Sequence, residues 1–375
     1  MFKEQAPQTI LIFCKTFMQV INAVQIKLQF FKNATVDIIV SDDSKNAQKM
    51  VAGLEMTGLF RRAKYVETEY ITYRQSDIED IKDLFHFVLG KNPKYTSLLW
   101  KDNFSYDIML FYNFDLLIYS AYNELKKRGE TPVCMRFEEG ISSYQPMLKP
   151  PEGSRMLLIE MIWKWSSGKS LKNIREAFCY FPEIFPNMNW EIHRIPPLNR
   201  KDKELIESLN IIFSYVPEQD QFPQKYIYFA SSSDVDGFHV GETEMVIQIA
   251  DKVGKNNLLI KMHPRDKRTI YEEMGLTVSR SSAVPWELIQ LTHDFSDHVF
   301  ISLVSSSIVT ASAILHDDIE SYFLFPAIKG KSRFYDEFIA ESMQPLIENL
   351  QNTGLCKNLR CINGVNEIPG SEPVT

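Results

Sequence analysis

The feature that most constrains the fold of this chain is a repeated alternation of short β-rich runs with longer amphipathic runs. In the first half, apolar and β-branched stretches predict strands, and apolar residues at helical spacing predict the helices between them. The predicted strands are residues 9–13, 36–40, 106–112 and 132–137, and the predicted helices are 19–30, 45–60 and 114–127. A strand, a helix and another strand in succession build a parallel sheet, so the first half is predicted to be an α/β lobe.

The second half repeats the pattern after a Pro-rich crossing at residues 185–200. Its predicted strands are 226–230, 258–262, 299–303 and 322–325, and its predicted helices are 242–253, 286–292 and 308–315. We therefore predict an α/β fold with two Rossmann-like lobes, and a single large doubly wound domain is the alternative. The predicted boundaries are 1–195 for the first lobe, with a helical insertion near 156–180, 196–335 for the second lobe, and 336–375 for a C-terminal helix with a partly disordered tail.

Composition supports two ordinary globular domains and excludes several classes of protein. A length of 375 residues exceeds the usual size of a single domain, and 45% of the residues are hydrophobic. The net charge is −7, so the basic surplus that a nucleic-acid-binding protein needs is absent. The five cysteines are an odd number without a CxxC pair, which favours reduced thiols in a cytoplasmic protein.

Membrane signals are weak with one exception. The apolar run before Lys15 is short and lacks a small-residue cleavage site, so we expect no signal peptide, and no stretch approaches about 18 uninterrupted apolar residues. Residues 156–174, however, mix Trp163 and Trp165 with several lysines. That mixture fits a peripheral helix at the inner face of the cell membrane, a helix between the subunits of a homodimer, or a helix that packs on its own lobe.

Four motifs carry polar chemistry; three lie at or just after predicted strands, and the other one lies in the first turn of a predicted helix. They are the acidic run Glu138, Glu139 and Gly140; the pair His263 and Pro264; Glu287, which follows Pro285; and the serine run Ser305, Ser306 and Ser307. Ligands bind at the carboxyl ends of parallel strands, so these residues are candidates for a site. Each motif also has a structural interpretation: a solvated acidic turn, a strand-end histidine, a carboxylate at the first turn of a helix, and a helix N-cap.

An acidic pair with glycine, then His-Pro, then a glutamate and serines in this order resembles the bacterial sialyltransferases. The similarity extends to the lipooligosaccharide enzymes of glycosyltransferase family 52 and to the capsular polysialyltransferases, and it covers roughly residues 1–330. It implies a GT-B arrangement, in which two lobes face each other across a cleft. It also implies an inverting, metal-independent transfer of sialic acid from CMP-sialic acid to a hydroxyl of a terminal sugar, such as galactose, on a bacterial surface glycan.

The resemblance implies that Glu139 is the general base that takes the acceptor proton. Consecutive side chains of an extended segment point to opposite faces, so only one of Glu138 and Glu139 is expected to reach the substrate. Glu138, Gly140, Ser142 and Ser143 form the predicted substrate-binding set beside this base, and the two serines are expected to contact the acceptor or the sialic acid carboxylate. The loop 231–244 offers a competing base, Asp236, and the choice between the two acids stays open.

The nucleotide is expected to bind to the second lobe. By resemblance His263 assists the leaving phosphate, and an imidazole titrates in the range where it can donate a proton. Alternation along the strand places Lys261 on the same face as His263, whereas Lys267 and Arg268 are expected to form a solvated basic edge. The full predicted nucleotide set is Lys261, His263, Pro264, Arg265, Trp286, Glu287, Ser305, Ser306 and Ser307, and Thr16 and Gln19 are predicted to lie near the donor sugar.

No cofactor is expected. The sequence has no His/Cys cluster at metal-ligand spacing, no GxGxxG run and no Walker loop, and its nearest approach to DxD is Ser41, Asp42 and Asp43. Two other functions remain open: a GT-B transferase for another nucleotide sugar such as a UDP-hexose, and a non-catalytic partner in glycan assembly. The partners expected in either enzymatic case are a nucleotide sugar and a glycan acceptor.

Overall fold

A computed structural model describes most of the chain. The described residues are 8–41, 47–67, 98–102, 104–113, 116–144, 174–186, 189–235, 237–263, 266–279 and 284–370. The predicted helical insertion near 156–180 therefore lies largely outside the described residues. The chain divides into two compact units: Met1–Glu139, Met147–Pro196 and Glu207–Ser214 form the first, and Gly140–Pro146, Pro197–Ile206 and Tyr215–Thr375 form the second.

The first unit contains a sheet of seven parallel strands in the order β3-β2-β1-β4-β5-β6-β7. These strands are β1 (Thr9–Cys14), β2 (Thr35–Ser41), β3 (Arg62–Val66), β4 (Ile108–Phe111), β5 (Val133–Phe137), β6 (Glu176–Cys179) and β7 (Glu191–Arg194). Its central strands β1 and β4 are apolar along their whole length and almost entirely buried. Strands of a parallel sheet that is covered on both faces have this composition, because neither face meets water.

The second unit contains a sheet of six parallel strands in the order β10-β9-β8-β11-β12-β13. These strands are β8 (Tyr226–Phe229), β9 (Leu258–Lys261), β10 (Thr277–Ser279), β11 (Val299–Ser302), β12 (Glu320–Phe323) and β13 (Leu359–Cys361). Its core combines β8, β9 and β11 with the apolar residues of the helix that follows β8. This unit therefore has a hydrophobic core of its own.

Helices connect the strands, as parallel pairing requires. They are α1 (Phe17–Phe30), α2 (Ala47–Met56), α3 (Leu116–Lys127), α4 (Lys203–Phe213), α5 (Glu242–Val253), α6 (Ile270–Glu273), α7 (Trp286–Thr292), α8 (Ser307–Ala313), α9 (Arg333–Phe338) and α10 (Gln344–Asn352). Residues 242–253 and 286–292 are helical as predicted. Together the two sheets and these helices confirm the prediction of an α/β chain with two Rossmann-like lobes.

In both sheets, the direction in which successive strands are added reverses at one point. In the first sheet the chain builds outward from β1 to β3 and then returns to add β4 on the other side of β1; in the second sheet it does the same with β8 and β11. Ligands of open parallel sheets bind at the carboxyl ends of the two strands that flank such a point. The fold therefore marks the ends of β1 and β4, and the ends of β8 and β11, as the places to look for a site.

Five of the thirteen strands in the described residues were not predicted from the sequence patterns, and all five are short or polar. They are β3, β6, β7, β10 and β13. Strand β7 lies inside the predicted Pro-rich crossing, where it pairs Glu191 with Glu176 and Arg194 with Cys179 at the edge of the first sheet. A four-residue polar edge strand has neither an apolar run nor a clear alternation to reveal it.

The end of the chain is more ordered than its composition suggests. Residues 351–370 include the end of α10, strand β13 and a turn of 3-10 helix, and Ile362, Val365 and Ile368 are buried in the second core. Apolar residues at these positions explain the packing, although Asn, Gly and Pro surround them. None of the helices in the described part of the chain has the length and apolar content that crossing a bilayer requires.

Candidate functional site

Strand β9 delivers Lys261 and His263 to the carboxyl edge of the second sheet. Lys261 is the last residue of β9, is 8% exposed, and pairs in register with Phe229 of β8. His263 follows two residues later and is half-buried. The predicted nucleotide residues Pro264 and Arg265 lie outside the described residues.

Lys261 and Glu287 form an electrostatic pair. Burial lowers the pKa of the Lys261 ammonium to about 8, and the nearby Glu287 carboxylate opposes that shift. Burial also raises the pKa of Glu287, while its own backbone N–H and Lys261 act in the opposite direction. Each group therefore favours the charged form of its partner, although burial, which favours the neutral form, is the larger effect on both pKa values. This pair joins the end of β9 to the first turn of α7.

Trp286, predicted to contact the nucleotide, is a core residue. It is 4% exposed, and its ring centroid lies 5.0 Å from that of Phe229 and 5.2 Å from that of Phe295. Trp286 was predicted at the site as part of the run Pro285, Trp286 and Glu287. At the start of a helix, however, neighbouring side chains point in different directions, and here the apolar ring faces the core.

The serine run closes β11 at the point where the second sheet reverses. Ser302 donates from its hydroxyl to the Phe229 carbonyl at 2.8 Å and accepts from the Ser305 N–H at 2.9 Å. Helix α8 begins at Ser307, and Ser306 occupies the N-cap position without a side-chain capping bond. The Ser306 hydroxyl is exposed. The expected N-cap hydrogen bond is therefore absent from this described helix start, and the hydroxyl is available to a ligand.

Strand β8 separates these two groups, and its carboxyl end holds a buried polar network. Glu242, the first residue of α5, is 1% exposed and accepts from the Tyr228 hydroxyl at 2.9 Å and from the Ser231 N–H at 2.8 Å. The Ser231 hydroxyl donates to Glu242 at 2.5 Å, and the Ser233 hydroxyl lies 2.6 Å from that of Tyr335. Burial raises the pKa of Glu242, whereas the hydrogen bonds from Ser231 oppose the shift. The sequence reasoning assigned no role to this network.

Arg268 also departs from its expected place. It was expected in a solvated basic edge, but its guanidinium binds Asp266, with an Nη2 to Oδ2 distance of 2.7 Å, and Asp234, with an Nη1 to Oδ2 distance of 2.8 Å. Asp234 lies in the loop that contains the alternative base, Asp236. Asp236 itself lies outside the described residues.

In the first unit, the two glutamates that follow β5 have different surroundings. Glu138 is 1% exposed, and its Oε2 accepts from the Tyr180 N–H at 2.7 Å. Its carbonyl accepts from Asn22 of α1 at 2.9 Å, and Asn22 in turn accepts from the Tyr180 hydroxyl at 3.0 Å. Glu138 was predicted to bind substrate, but this carboxylate is turned into the protein and holds the strand end in place.

Glu139 is the half-buried member of the pair. Its charge acts on Arg136, whose pKa is lowered by burial and raised in part by Glu139. Gly140 follows with φ of +116°, in a region that side-chain-bearing residues rarely adopt, which explains the glycine in the motif. Ser142 and Ser143 lie in the 3-10 helix Ile141–Tyr144, where the Ser143 N–H donates to the Gly140 carbonyl at 3.0 Å. The expectation that the two acids face opposite ways agrees with these surroundings.

Thr16 and Gln19 stabilise the start of α1. Thr16 is the N-cap, and its hydroxyl accepts from the Gln19 N–H at 3.3 Å. The Gln19 side chain is 1% exposed and accepts from the Lys15 N–H at 2.6 Å. Both side chains therefore bind the backbone at the end of β1. Their predicted contact with the donor sugar stays a prediction.

Within the second unit, the structure places Lys261, His263 and the serine run 305–307 of the predicted nucleotide set at one edge of one sheet. His263 follows β9 and Ser306 follows β11, on either side of β8, so the two strand ends are separated by two strand spacings, about 10 Å. The described residues contain no group of three or more His, Cys, Asp or Glu side chains that could hold a metal ion. This edge thus offers an imidazole, a buried ammonium and serine hydroxyls.

Comparisons with known proteins find similarity to solved structures over most of the chain. No family model matches the sequence, and no curated protein matches it. Among solved structures, the chain is similar to CalG4, the calicheamicin glycosyltransferase, with a TM-score of 0.46, 9% identity and coverage of 92% of this chain and 90% of that one. It is also similar to Acinetobacter baumannii MurG, with a TM-score of 0.37, 12% identity and coverage of 93% and 90%.

A third similar structure is the Methanocaldococcus jannaschii UDP-GlcNAc 2-epimerase in complex with UDP-GlcNAc and UDP. Its TM-score is 0.44, the identity is 13%, and 84% of this chain and 83% of that chain are covered. At identities this low, the site has to be assigned from its own residues and their chemistry.

Proposed function

We propose that this protein is a bacterial glycosyltransferase that works in the cytoplasm and transfers sialic acid from CMP-sialic acid to a hydroxyl of a terminal sugar, with inversion at the anomeric carbon. The observation that carries the proposal is the carboxyl edge of the second sheet. His263, Lys261 and the exposed hydroxyl of Ser306 lie at the ends of β9 and β11, on either side of the point where the sheet reverses. Cations and hydroxyl donors at such a point suit a phosphate-bearing leaving group.

The proposed reaction is a single displacement. The oxygen of the acceptor hydroxyl forms a bond to the anomeric carbon of sialic acid as the bond from that carbon to the phosphate oxygen breaks. The electron pair of the broken bond stays on the phosphate, which leaves as CMP, and the acceptor proton passes to the base. His263 donates to the departing phosphate, and the positive charge of Lys261 stabilises its growing negative charge.

Glu139 is the proposed base. Glu138 already accepts a hydrogen bond from Tyr180 and is 1% exposed, whereas Glu139 is half-buried and so accessible from solvent. The proton of a hydroxyl can be taken only by a carboxylate that reaches it. This difference supports Glu139 over Glu138, in agreement with the motif.

Ligand-induced stabilisation tests the donor. We expect CMP at about one hundred times its Kd to stabilise the folded protein by about 2.7 kcal/mol, since a ligand that binds only the native state shifts the unfolding equilibrium. UDP at the same concentration should give a smaller increase in the melting temperature. The measurement is thermal unfolding followed by fluorescence, with CMP, UDP and no ligand.

A pair of serine variants controls this experiment. Ser306→Ala should reduce the shift caused by CMP, whereas Ser296→Ala should keep it, because exposed Ser296 precedes β11 at the opposite edge of the sheet. A larger shift with UDP than with CMP would make the donor a UDP-sugar. The absence of a shift with either nucleotide would contradict the proposed function.

A further inference from the structure

We infer that Arg268 is a positioning residue, which clamps the His263 loop to the neighbouring loop and so holds the imidazole in place for the leaving phosphate. The inference rests on the proposed role of His263. It concerns two loops of the second unit, the one that follows β8 and the one that follows β9. Lys267 and Arg268 were expected to be solvated, and no role at the site was assigned to Arg268 from its sequence position.

The first half of the clamp joins Asp266 to His263 and to Arg268. The Asp266 N–H donates to the His263 carbonyl at 2.9 Å. The Asp266 carboxylate, 1% exposed, accepts from Arg268 Nε at 3.0 Å, from Nη2 at 2.7 Å and from the Arg268 backbone N–H at 2.9 Å. These three donors fix the orientation of the buried Asp266 carboxylate. Asp266 is thereby held in place, and its backbone N–H in turn holds the His263 carbonyl.

The second half joins this turn to the loop after β8. Arg268 Nη1 donates to Asp234 Oδ2 at 2.8 Å, and the Asp234 side chain is 14% exposed. The Asp234 loop is itself fixed, because its carbonyl accepts from the Gly237 N–H at 3.2 Å and the Phe238 N–H donates to the Ser233 carbonyl at 2.8 Å. Loops are in general more mobile than the strands they follow. Arg268 therefore joins the loop after β9 to a loop that its own backbone hydrogen bonds hold in place.

That fixed part continues into the core. The hydroxyl of Ser233 lies 2.5 Å from that of Ser231, and Ser231 binds the buried Glu242. Hydrogen bonds thus run from the His263 carbonyl through Asp266 and Arg268 to Asp234. The adjacent residue in the chain, Ser233, continues by hydrogen bonds through Ser231 to Glu242 at the start of α5. Each step lies at the carboxyl edge of the second sheet, where the reaction is proposed to occur.

Removal of the guanidinium should act on local geometry as well as on stability. Arg268 is 38% exposed, but the Asp266 carboxylate is 1% exposed, and a buried carboxylate that loses its cation is destabilised. Asp234 and Asp266 would also carry like charges on adjacent loops, and repulsion would separate them. A displacement of about 1 Å at a catalytic group can reduce the rate by about one hundredfold.

The chain offers a matched control in Arg200. Its guanidinium binds both oxygens of Asp317 at 2.6 Å, and it is 39% exposed, against 38% for Arg268. Asp317 follows α8 and belongs to neither loop. Arg200→Ala therefore removes the same kind of ion pair from the same unit without touching the His263 loop.

Amide hydrogen exchange tests the clamp without any assumption about the substrate. In Arg268→Ala we expect exchange at residues 266–268 to accelerate by about tenfold or more. The Asp266 carboxylate, which accepts from the backbone N–H of residue 268, loses the guanidinium that orients it, and Asp266 also supplies the N–H that binds the His263 carbonyl. In Arg200→Ala these amides should exchange at the rate of the unaltered protein. Equal exchange in the two variants would overturn the inference.

Kinetics with CMP-sialic acid test the consequence for His263. We expect Arg268→Ala to lower kcat by about 10- to 100-fold with the acceptor KM within about twofold, and we expect Arg268→Lys or added guanidinium to restore part of kcat. Arg200→Ala should leave kcat within about twofold. If Arg268→Ala does not fold, Asp234→Asn, which keeps the Asp266 pair, replaces it and should lower kcat in the same direction.

His263→Ala separates the inference from the proposed function. A large loss of kcat in His263→Ala together with an unchanged kcat in Arg268→Ala would contradict the positioning role of Arg268. The same result would still support the proposed transferase function. If the unaltered protein transfers no sialic acid, the proposed function fails, and the exchange rates still decide whether Arg268 orders the loop. Accelerated exchange together with lowered kcat supports both.

Discussion

The pKa of Lys261 depends mainly on the burial of this residue at the site. Its ammonium is 8% exposed at the end of a strand, and burial is the main cause of a pKa of about 8. An ammonium with this pKa is charged at neutral pH and loses its charge in mild alkali. Because a phosphate is attracted to the charged form only, ligand binding should follow this titration.

The affinity for CMP should fall as the pH rises through about 8. The sign follows from the direction of the shift: the folded-state pKa lies below the usual 10.5, so Lys261 is protonated below pH 8 and neutral above it. Above that pH, Kd should increase by up to about tenfold per pH unit. Isothermal titration calorimetry between pH 6.5 and 9.5 measures it.

Lys261→Arg is the control for this titration. Its guanidinium stays charged over the whole range, so the dependence of Kd on pH should disappear. A Kd of the unaltered protein that is constant up to pH 9.5 would show that Lys261 does not contact the phosphate in its charged form.

At the scale of elements, the start of α5 is secured by a carboxylate that the helix brings into the core. Glu242 and Glu244 both lie in the first turn of α5, but Glu242 is buried and Glu244 is exposed. The helix periodicity separates their directions, since residues two apart point to different sides. Glu242 accepts from three donors, and these donors are buried with it.

Glu242→Ala should destabilise the protein by about 3 kcal/mol or more, because it leaves buried donors of Tyr228 and Ser231 without an acceptor. Glu242→Gln keeps an acceptor and should cost about 1 kcal/mol or less at pH 7. Glu244→Ala, in the same turn, should stay within about 0.5 kcal/mol of the unaltered protein. Urea unfolding measures all three free energies, and equal losses in the two Ala variants would contradict the role of the buried network.

The pH dependence of this contribution has a defined sign. Burial raises the folded-state pKa of Glu242 above its ordinary 4.5, so the folded protein binds this proton more tightly than the unfolded chain. The stability that protonation contributes is fully present below the ordinary pKa of 4.5, and it is lost as the pH rises from there through the folded-state pKa. Glu242→Gln should remove this part of the pH dependence.

At the scale of the whole molecule, the chain has two cores and two candidate bases. Glu139 belongs to the first unit, and the loop that contains Asp236 belongs to the second. Each sheet has the strand order of a nucleotide-binding fold, so topology alone does not decide which unit supplies the base. The half-buried setting of Glu139 and its place after β5 favour the first unit.

Glu139→Gln should abolish transfer and keep the Kd for CMP, because the amide removes the base without touching the nucleotide. Asp236→Asn should retain most of the rate. The measurement pairs initial rates of sialic acid transfer with CMP titrations for both variants. An inactive Asp236→Asn beside an active Glu139→Gln would move the base into the second unit.

The sequence by itself determined the class of the fold and the position of the main motifs. Long apolar strands such as β1 and amphipathic helices such as α5 have local periodicities, and a local pattern survives without knowledge of the rest of the chain. Because a motif that follows a parallel strand lies at its carboxyl edge, the placement of His263 and Ser306 could be predicted. Short polar strands such as β7 could not, since their order comes from the neighbouring strand.

Only the tertiary structure decided which way the candidate side chains point and what they bind. Alternation predicts that Glu138 and Glu139 differ, but the buried side of the sheet end is defined by Asn22 and Tyr180, which are distant in sequence. Arg268 meets Asp234 across 34 positions, and Ser233 meets Tyr335 across 102. Such contacts depend on strand order and packing, not on the local periodicity of the sequence. The motifs could therefore be predicted from the sequence, whereas the residues that they contact are determined by the fold.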